Sequence, residues 1–184
     1  MAELPGKKIL VLVTNQGVEQ DELKVPLEKL RADGAEVTVA APETGEVKSL
    51  VGDWDRGETF PVDQTISSVN ESEYDLLLLP GGTLNADALR LNEDAQEIAK
   101  SFASSGRPVA ALCHGPWLLV ETGVVDGKTL TSYASLKTDI TNAGGNWVDQ
   151  EVKVCPANEW TLITSRDPGD LEAFVGAIKE QLSI

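Results

Sequence analysis

The string Val109-Ala110-Ala111-Leu112-Cys113-His114-Gly115-Pro116 sets a thiol where an apolar, strand-like run stops and a helix-like stretch starts. A strand that turns tightly into a helix forces the residue between them into a strained, exposed position, the geometry with which hydrolases present a nucleophilic serine. A cysteine there also sits at a helix N-terminus, where free amides and the helix dipole stabilise the thiolate and lower its pKa. This context favours a reactive Cys113 over the competing reading, a buried structural thiol. Cys155 has no such setting and reads as structural. His114 is the only histidine of the chain. It can act as a general base or as a hydrogen-bond partner. Adjacent residues at an elbow point apart as a rule, so proton transfer and a plain hydrogen bond near the turn stand level for its ring. Its backbone amide, next to the nucleophile, is well placed for an oxyanion hole.

Glu19 and Glu22 are three apart at the start of a helical pattern, so they can share one face. A carboxyl crowded against a thiolate has its pKa raised, and can donate a proton to the sulfur and later act as a base. Acidic residues are also common in first turns because of the dipole, and for Glu22 the two readings are even. Gly81-Gly82 follows an apolar run. A residue without a side chain lets a backbone amide approach a substrate oxygen, although a tight turn explains two glycines equally. No P-loop, dinucleotide fingerprint or Cys/His cluster is present. One histidine and two cysteines argue against a zinc site, and no organic cofactor is implied.

The elements that position these residues follow from the hydrophobic pattern. KKILVLVT at positions 7–14, EVTVAA at 36–41, YDLLLL at 74–79 and RPVAAL at 107–112 are short apolar runs of the kind expected for buried parallel strands. Leu23, Leu27 and Leu30 have helical spacing, and Gly34 is a suitable stop. Asn92 followed by Glu93 and Asp94 predicts a capped helix running to Gly106, and another helix is expected to begin directly at His114. Further helices are predicted over 135–143 and 167–182, with a short strand at 129–131. Segments 151–154 and 160–164 are expected to form a hairpin or edge pair, and the polar stretch 42–73 to hold short strands and a loop. Strands alternating with helices predict an α/β fold with a mostly parallel sheet covered on both faces. Sites in such folds lie at the carboxyl ends of the strands. The residues from Thr14 to Glu22, Gly81-Gly82 and Cys113-His114 each follow such a strand, so they converge on one sheet edge. No repeat or second domain is evident, and residues 1–184 read as a single domain.

Composition removes other classes. With 30 acidic and 15 basic side chains the formal charge is −15, and no basic cluster offers a phosphate backbone a footing. Stable nucleic-acid binding is therefore not expected. No apolar run approaches the roughly 18 residues of a membrane span. The first residues lack the order of a signal peptide, and the two cysteines are too few for a disulfide scaffold, which predicts a cytoplasmic protein.

The segment Ala111-Leu112-Cys113-His114-Gly115-Pro116-Trp117-Leu118-Leu119 closely resembles the nucleophile elbow of the DJ-one/PfpI superfamily, in its bacterial PfpI-like (YhbO-like) general-stress-protein and cysteine-protease branch. Further matching pieces follow in order: Glu19-Gln20-Asp21-Glu22-Leu23 with Pro26; Leu79-Pro80-Gly81-Gly82-Thr83 with Asp87 and Leu89-Arg90-Leu91-Asn92; Thr131-Ser132-Tyr133; and Leu162 to Pro168. The resemblance implies a flavodoxin-like three-layer sandwich and a homodimer, sometimes assembled into hexamers. It implies Cys113 as an oxidation-prone nucleophile, Glu22 as the carboxyl that hydrogen-bonds the sulfur, Glu19 as its neighbour, and the amides of Gly82 and His114 as the oxyanion hole. In such members an acidic residue of a partner subunit orients the histidine, and Asp87 lies in the matching region. Tyr133 matches a tyrosine near the pocket. Members are variously described as peptidases, glyoxalases, deglycases, chaperones and redox sensors, and the fold does not choose among them. The leading expectation is a stress-response cysteine hydrolase acting on small carbonyl compounds or peptides. The alternative is a redox sensor or chaperone-like protein with little catalysis.

Overall fold

A computed structural model describes residues 4–184. The strand β1 (Lys8–Leu12) is buried beyond its first residue and leads through the short β2 (Gln16–Glu19) into helix α1 (Gln20–Ala32). Then come β3 (Glu36–Ala41), β4 (Glu46–Val51), β5 (Asp55–Pro61), β6 (Gln64–Thr65) and the wholly buried β7 (Leu76–Leu79). Helices α2 (Thr83–Leu89) and α3 (Glu93–Ser104) precede β8 (Val109–Leu112), the last strand before the elbow. The chain continues through α4 (Trp117–Glu121), β9 (Thr129–Leu130), α5 (Lys137–Asn142) and β10 (Asn146–Trp147). It closes with β11 (Val152–Cys155), β12 (Leu162–Ser165) and α6 (Leu171–Leu182).

Seven strands form the main sheet in the order β11-β12-β8-β7-β1-β3-β6. All neighbours run parallel except the edge pair of β11 with β12. Successive side chains of a strand face opposite ways. Ile9, Val11, Leu76 and Leu78 therefore meet Leu23, Leu30, Phe174 and Ile178 from α1 and α6. Leu10, Leu12, Leu77 and Leu79 meet Ile98, Phe102, Leu118 and Ile140 from α3, α4 and α5. Burial on both faces explains why the strands are apolar runs rather than alternating ones. Each of these large side chains contributes about 1.5–3 kcal/mol of transfer free energy. The result is the three-layer, flavodoxin-like arrangement expected from sequence.

Several expectations need correction in detail. The polar stretch forms a hairpin of β4 and β5, which joins β2 in a separate three-stranded sheet. Helix α2 follows Gly82 directly and was not expected; its few apolar residues give no helical stripe to read. The helix after Cys113 begins at Trp117 rather than His114, because residues 113–116 form a turn closed by Gly115 N–H donating to Leu112 O at 2.8 Å. Segments 151–154 and 160–164 do supply the expected edge pair, β11 antiparallel to β12, with β11 outermost and β12 beside β8. Asn92 caps α3 as predicted, its side chain accepting from Ala95 N–H at 2.9 Å. Among the described residues no helix is long and apolar enough to cross a membrane.

Candidate active site at the elbow

Strands β1, β7 and β8 are adjacent and parallel, so their carboxyl ends open at one edge. Buried Asn85 ties two of these ends together. Its carbonyl accepts from Thr14 N–H at 2.7 Å and its amide donates to Gly81 O at 3.0 Å. Cys113 stands at φ +61°, in the left-handed region. A non-glycine residue there costs about 1–3 kcal/mol and persists only where its surroundings impose it. Here the amide of Cys113 donates to Ser165 O at 3.1 Å and its carbonyl accepts from Tyr133 N–H at 2.9 Å. The elbow is thus held from β12 on one side and from the loop after β9 on the other. Contrary to the exposed nucleophile expected from sequence, Cys113 is only 6% exposed.

The glycines beside it are sterically required. A Cβ at Gly81 would stand 2.5 Å from Glu22 Oε1 and 2.8 Å from Cys113 Cβ. Gly82 combines φ +88° with contact against Gly17 O and Glu19 N that no side chain could enter. Close approach to the thiol, rather than turn formation alone, accounts for the pair.

Glu22 is buried at 1% exposure. Its Oε1 accepts from Gly81 N–H at 2.8 Å, and Oε2 has no hydrogen-bond partner among the described residues. Burial pushes its carboxyl well above the usual carboxylate range, with the charges of Glu19 and Asp53 adding to the rise and the Gly81 amide opposing it. A buried carboxyl with a bare oxygen and a raised pKa is a proton donor, and the thiol it interacts with is that of Cys113. Burial also pushes the Cys113 thiol up, and the Glu22 charge pushes it further, against the amides of Gly82 and His114. The lowered pKa expected from sequence is therefore reversed. Desolvation outweighs the amides, and the helix that was to help begins four residues on. The pair holds its protons tightly, so deprotonation of the thiol requires a local base.

His114 provides one. Its Nδ1 lies 3.1 Å from the Cys113 sulfur, so the ring does reach its neighbour. The ring stacks on Tyr133 at 4.8 Å between centroids and meets the Trp117 ring edge-on at 5.2 Å. Burial lowers its pKa, with the Asp53 charge opposing. It is neutral near pH 7 and able to accept a proton.

The remaining candidates fall elsewhere. Glu19 does not touch the sulfur; its carboxylate accepts from Gly52 N–H at 2.8 Å and Asp53 N–H at 3.1 Å. Asp87 is exposed on α2 and makes no hydrogen bond to His114 among the described residues. Sequence reasoning passed over Asp53 and Thr83. The Asp53 carboxylate accepts from Thr83 N–H at 2.9 Å and from Thr83 Oγ at 2.7 Å, and Thr83 Oγ lies 3.4 Å from His114 Nε2. Thr83 was within reach, since it follows the Gly-Gly turn; Asp53 lies about thirty residues earlier in the polar hairpin, with no local signal. A groove of about 650 Å³ opens outside Asp53 and Leu84, and Cys113 does not line it.

The parallel sheet, the strained cysteine and its buried carboxyl define an α/β protein of the nucleophile-elbow class. The DJ-1/PfpI family model matches residues 7–181, and the chain belongs to that family. It is 41% identical over 168 residues to Deglycase PfpI of Pyrococcus furiosus, covering 91% of this chain and 95% of that one. Two Bacillus subtilis proteins are similar: YraA, whose name makes it a candidate cysteine protease, at 41% over 169 residues, and General stress protein 18, at 40% over 169 residues. Each covers 92% of this chain and 94% of its own. Among solved structures, Drosophila melanogaster DJ-1beta matches with a TM-score of 0.83 and 32% identity, over 97% of this chain and 91% of that one. The relatives' names support a stress-related, hydrolase-like enzyme family.

Proposed function

We propose that the protein is a cytoplasmic stress-response enzyme in which Cys113 adds to the carbonyl carbon of small α-oxoaldehydes and of their early adducts with amines. The observation that carries this reading is the thiol set between the buried Glu22 carboxyl and His114 Nδ1, 3.1 Å from the sulfur. The deglycase names of relatives support the substrate class. A cysteine only 6% exposed also favours a two- or three-carbon aldehyde over a folded peptide segment.

The chemistry balances without a cofactor. The thiol proton passes to His114 Nδ1 as the sulfur–carbon bond forms, and the carbonyl electron pair moves onto oxygen beside the Gly82 and His114 amides. Protonation of that oxygen gives a hemithioacetal. Glu22, left as the carboxylate once its proton has gone to that oxygen, takes the C1 proton and returns it to C2, while His114 relays the C1 hydroxyl proton to the C2 oxygen. Water then attacks the resulting thioester, its proton going to Glu22 and the imidazolium proton to the leaving sulfur, which releases a 2-hydroxy acid and the free thiol. The assembly that goes with this reading is a homodimer or hexamer, supported by the exposed Trp54 and Leu84 beside the Asp53 turn. Sedimentation of the purified chain tests it, and a strict monomer would count against it.

The direct test follows methylglyoxal loss and lactate formation, with unfolded casein as a second substrate, for the wild type and Cys113→Ala. Methylglyoxal turnover that disappears with the cysteine, without casein cleavage, is the expected result. Full activity in Cys113→Ala would overturn the mechanism. Casein cleavage that depends on the cysteine would move the assignment to a peptidase.

A further inference from the structure

A carboxylate of the same chain, outside the sequence strings that resemble the family, connects to His114. We propose that Asp53, acting through the Thr83 hydroxyl, fixes His114 as the Nε2–H tautomer and so aims a bare Nδ1 at the Cys113 thiol. Asp53 and Thr83 are then positioning residues for the reaction, and the inference rests on the reading of Cys113 as the nucleophile.

The direction of each hydrogen bond follows from what its partners can do. An ionised carboxylate only accepts. Across the 2.7 Å contact with Asp53 Oδ2, Thr83 Oγ must therefore donate. A hydroxyl has one proton, so toward His114 Nε2, at 3.4 Å, Thr83 Oγ presents lone pairs. For that contact to be a hydrogen bond, Nε2 carries the hydrogen. A neutral imidazole carries only one, which leaves Nδ1 bare at 3.1 Å from the sulfur. Ser135 Oγ, also 3.4 Å from Nε2, is a rotatable hydroxyl that accepts once Nε2 is the donor. The series runs in one direction, from the sulfur proton through the ring and the threonine to the carboxylate. When Nδ1 takes the thiol proton, the imidazolium charge is met by Asp53 through one hydroxyl.

The fold spends several contacts on holding Asp53 in place. It stands at φ +60° in the turn between β4 and β5. Its other oxygen accepts the Thr83 amide at 2.9 Å, which fixes the threonine backbone as well as its hydroxyl. The Glu19 carboxylate grips the Gly52 and Asp53 amides from below. This gives Glu19 a part in the site without contact with the sulfur. The Tyr133 and Trp117 rings restrict the imidazole to the plane in which both nitrogens find these partners.

Because His114 is the only histidine, the full chain labelled with nitrogen-15 histidine gives one imidazole spectrum. The expected wild-type spectrum at neutral pH has a protonated Nε2 and an unprotonated Nδ1. Thr83→Val should redistribute the tautomers and slow alkylation of Cys113 by iodoacetamide by about 10- to 10⁴-fold, the span between a weakened base and a wrong tautomer. Thr83→Ser should restore both. Asp53→Asn, whose residue type tolerates a positive φ, should reverse the threonine hydroxyl and shift the tautomer as Thr83→Val does. It serves as the second variant where Thr83→Val fails to fold. A wild-type Nδ1–H tautomer would overturn the proposal, as would an unchanged spectrum in both folded variants. A chain that turns over no carbonyl substrate yet keeps the Nε2–H tautomer, and loses it in the variants, would sink the enzymatic reading alone.

Discussion

Glu22→Gln is expected to make the protein more stable at neutral pH while abolishing its chemistry. The wild-type carboxyl is buried with Oε2 unpartnered, and its pKa is raised by desolvation and by the charges of Glu19 and Asp53. A group whose folded pKa lies above its unfolded value binds its proton more tightly in the folded state. Stability is then greatest below the ordinary carboxylate pKa and declines as pH rises toward the folded value. Glutamine keeps the acceptor for Gly81 N–H and removes this titration. The wild type loses about 1.4 kcal/mol for each pH unit between the unfolded and the folded pKa, a loss the glutamine variant does not share. For a domain of this size each such unit is about 3–6 °C in melting temperature. Thermal and urea unfolding at fixed protein concentration from pH 4 to 7.5 would show it, with the two proteins converging at the acidic end and separating as pH rises. The range stops short of the thiol's own titration. A variant less stable than wild type at pH 7, or a difference that does not change with pH, would refute the assignment of Glu22 as a destabilising buried acid.

Other positions give sharper steric tests. Gly82→Ala combines a positive φ with collision against Gly17 O and Glu19 N, and should lower stability in urea by at least about 2 kcal/mol while removing activity. Cys113→Gly should be more stable than Cys113→Ala by up to about 1 kcal/mol, since both lose the thiol and only glycine sheds the strain of φ +61°. Equal stabilities would mean that the elbow relaxes around alanine. Lys128 is wholly buried, donating to the carbonyls of Cys155, Ala157 and Trp160 with its ammonium 4.0 Å from the Trp160 ring centroid. Lys128→Met leaves these carbonyls short of a donor and should cost at least about 3 kcal/mol, read from the urea midpoint.

The parallel strands and the cysteine elbow were legible because both are local. Uninterrupted runs such as Leu76–Leu79 can be buried on both faces only in a covered parallel sheet, and Cys113 lies where one such run breaks. The proton affinity of Cys113 was misjudged because it depends on desolvation and on Glu22, which arrives from the far side of β1. His114 was expected to point away as a rule of adjacent residues. The left-handed backbone at Cys113 turns the side chains enough for Nδ1 and Sγ to meet. Asp53 was invisible for another reason. Its role depends on a hairpin that folds back onto α2, and the hairpin sequence, polar and rich in glycine, records its turns but not where they dock.

The resting state of the thiol bears on whether the chain is an enzyme or a peroxide sensor. A sensor requires a thiolate at rest, because the thiolate is the form that peroxide oxidises. Burial holds the Cys113 thiol protonated until a bound electrophile draws its proton onto His114. Cys155 is the contrasting case. Burial opposes its ionisation, but the amides of Thr129 and Ala157 and the charges of Lys128 and Lys153 outweigh it and lower its pKa. The two cysteines are equally shielded, each 6% exposed, so proton affinity rather than access separates them. Under mild peroxide, site-resolved mass spectrometry should find Cys155 oxidised at least as fast as Cys113. Selective formation of sulfenic or sulfinic acid at Cys113 would show that the thiolate is populated without substrate. It would transfer the weight of the argument from carbonyl chemistry to redox sensing.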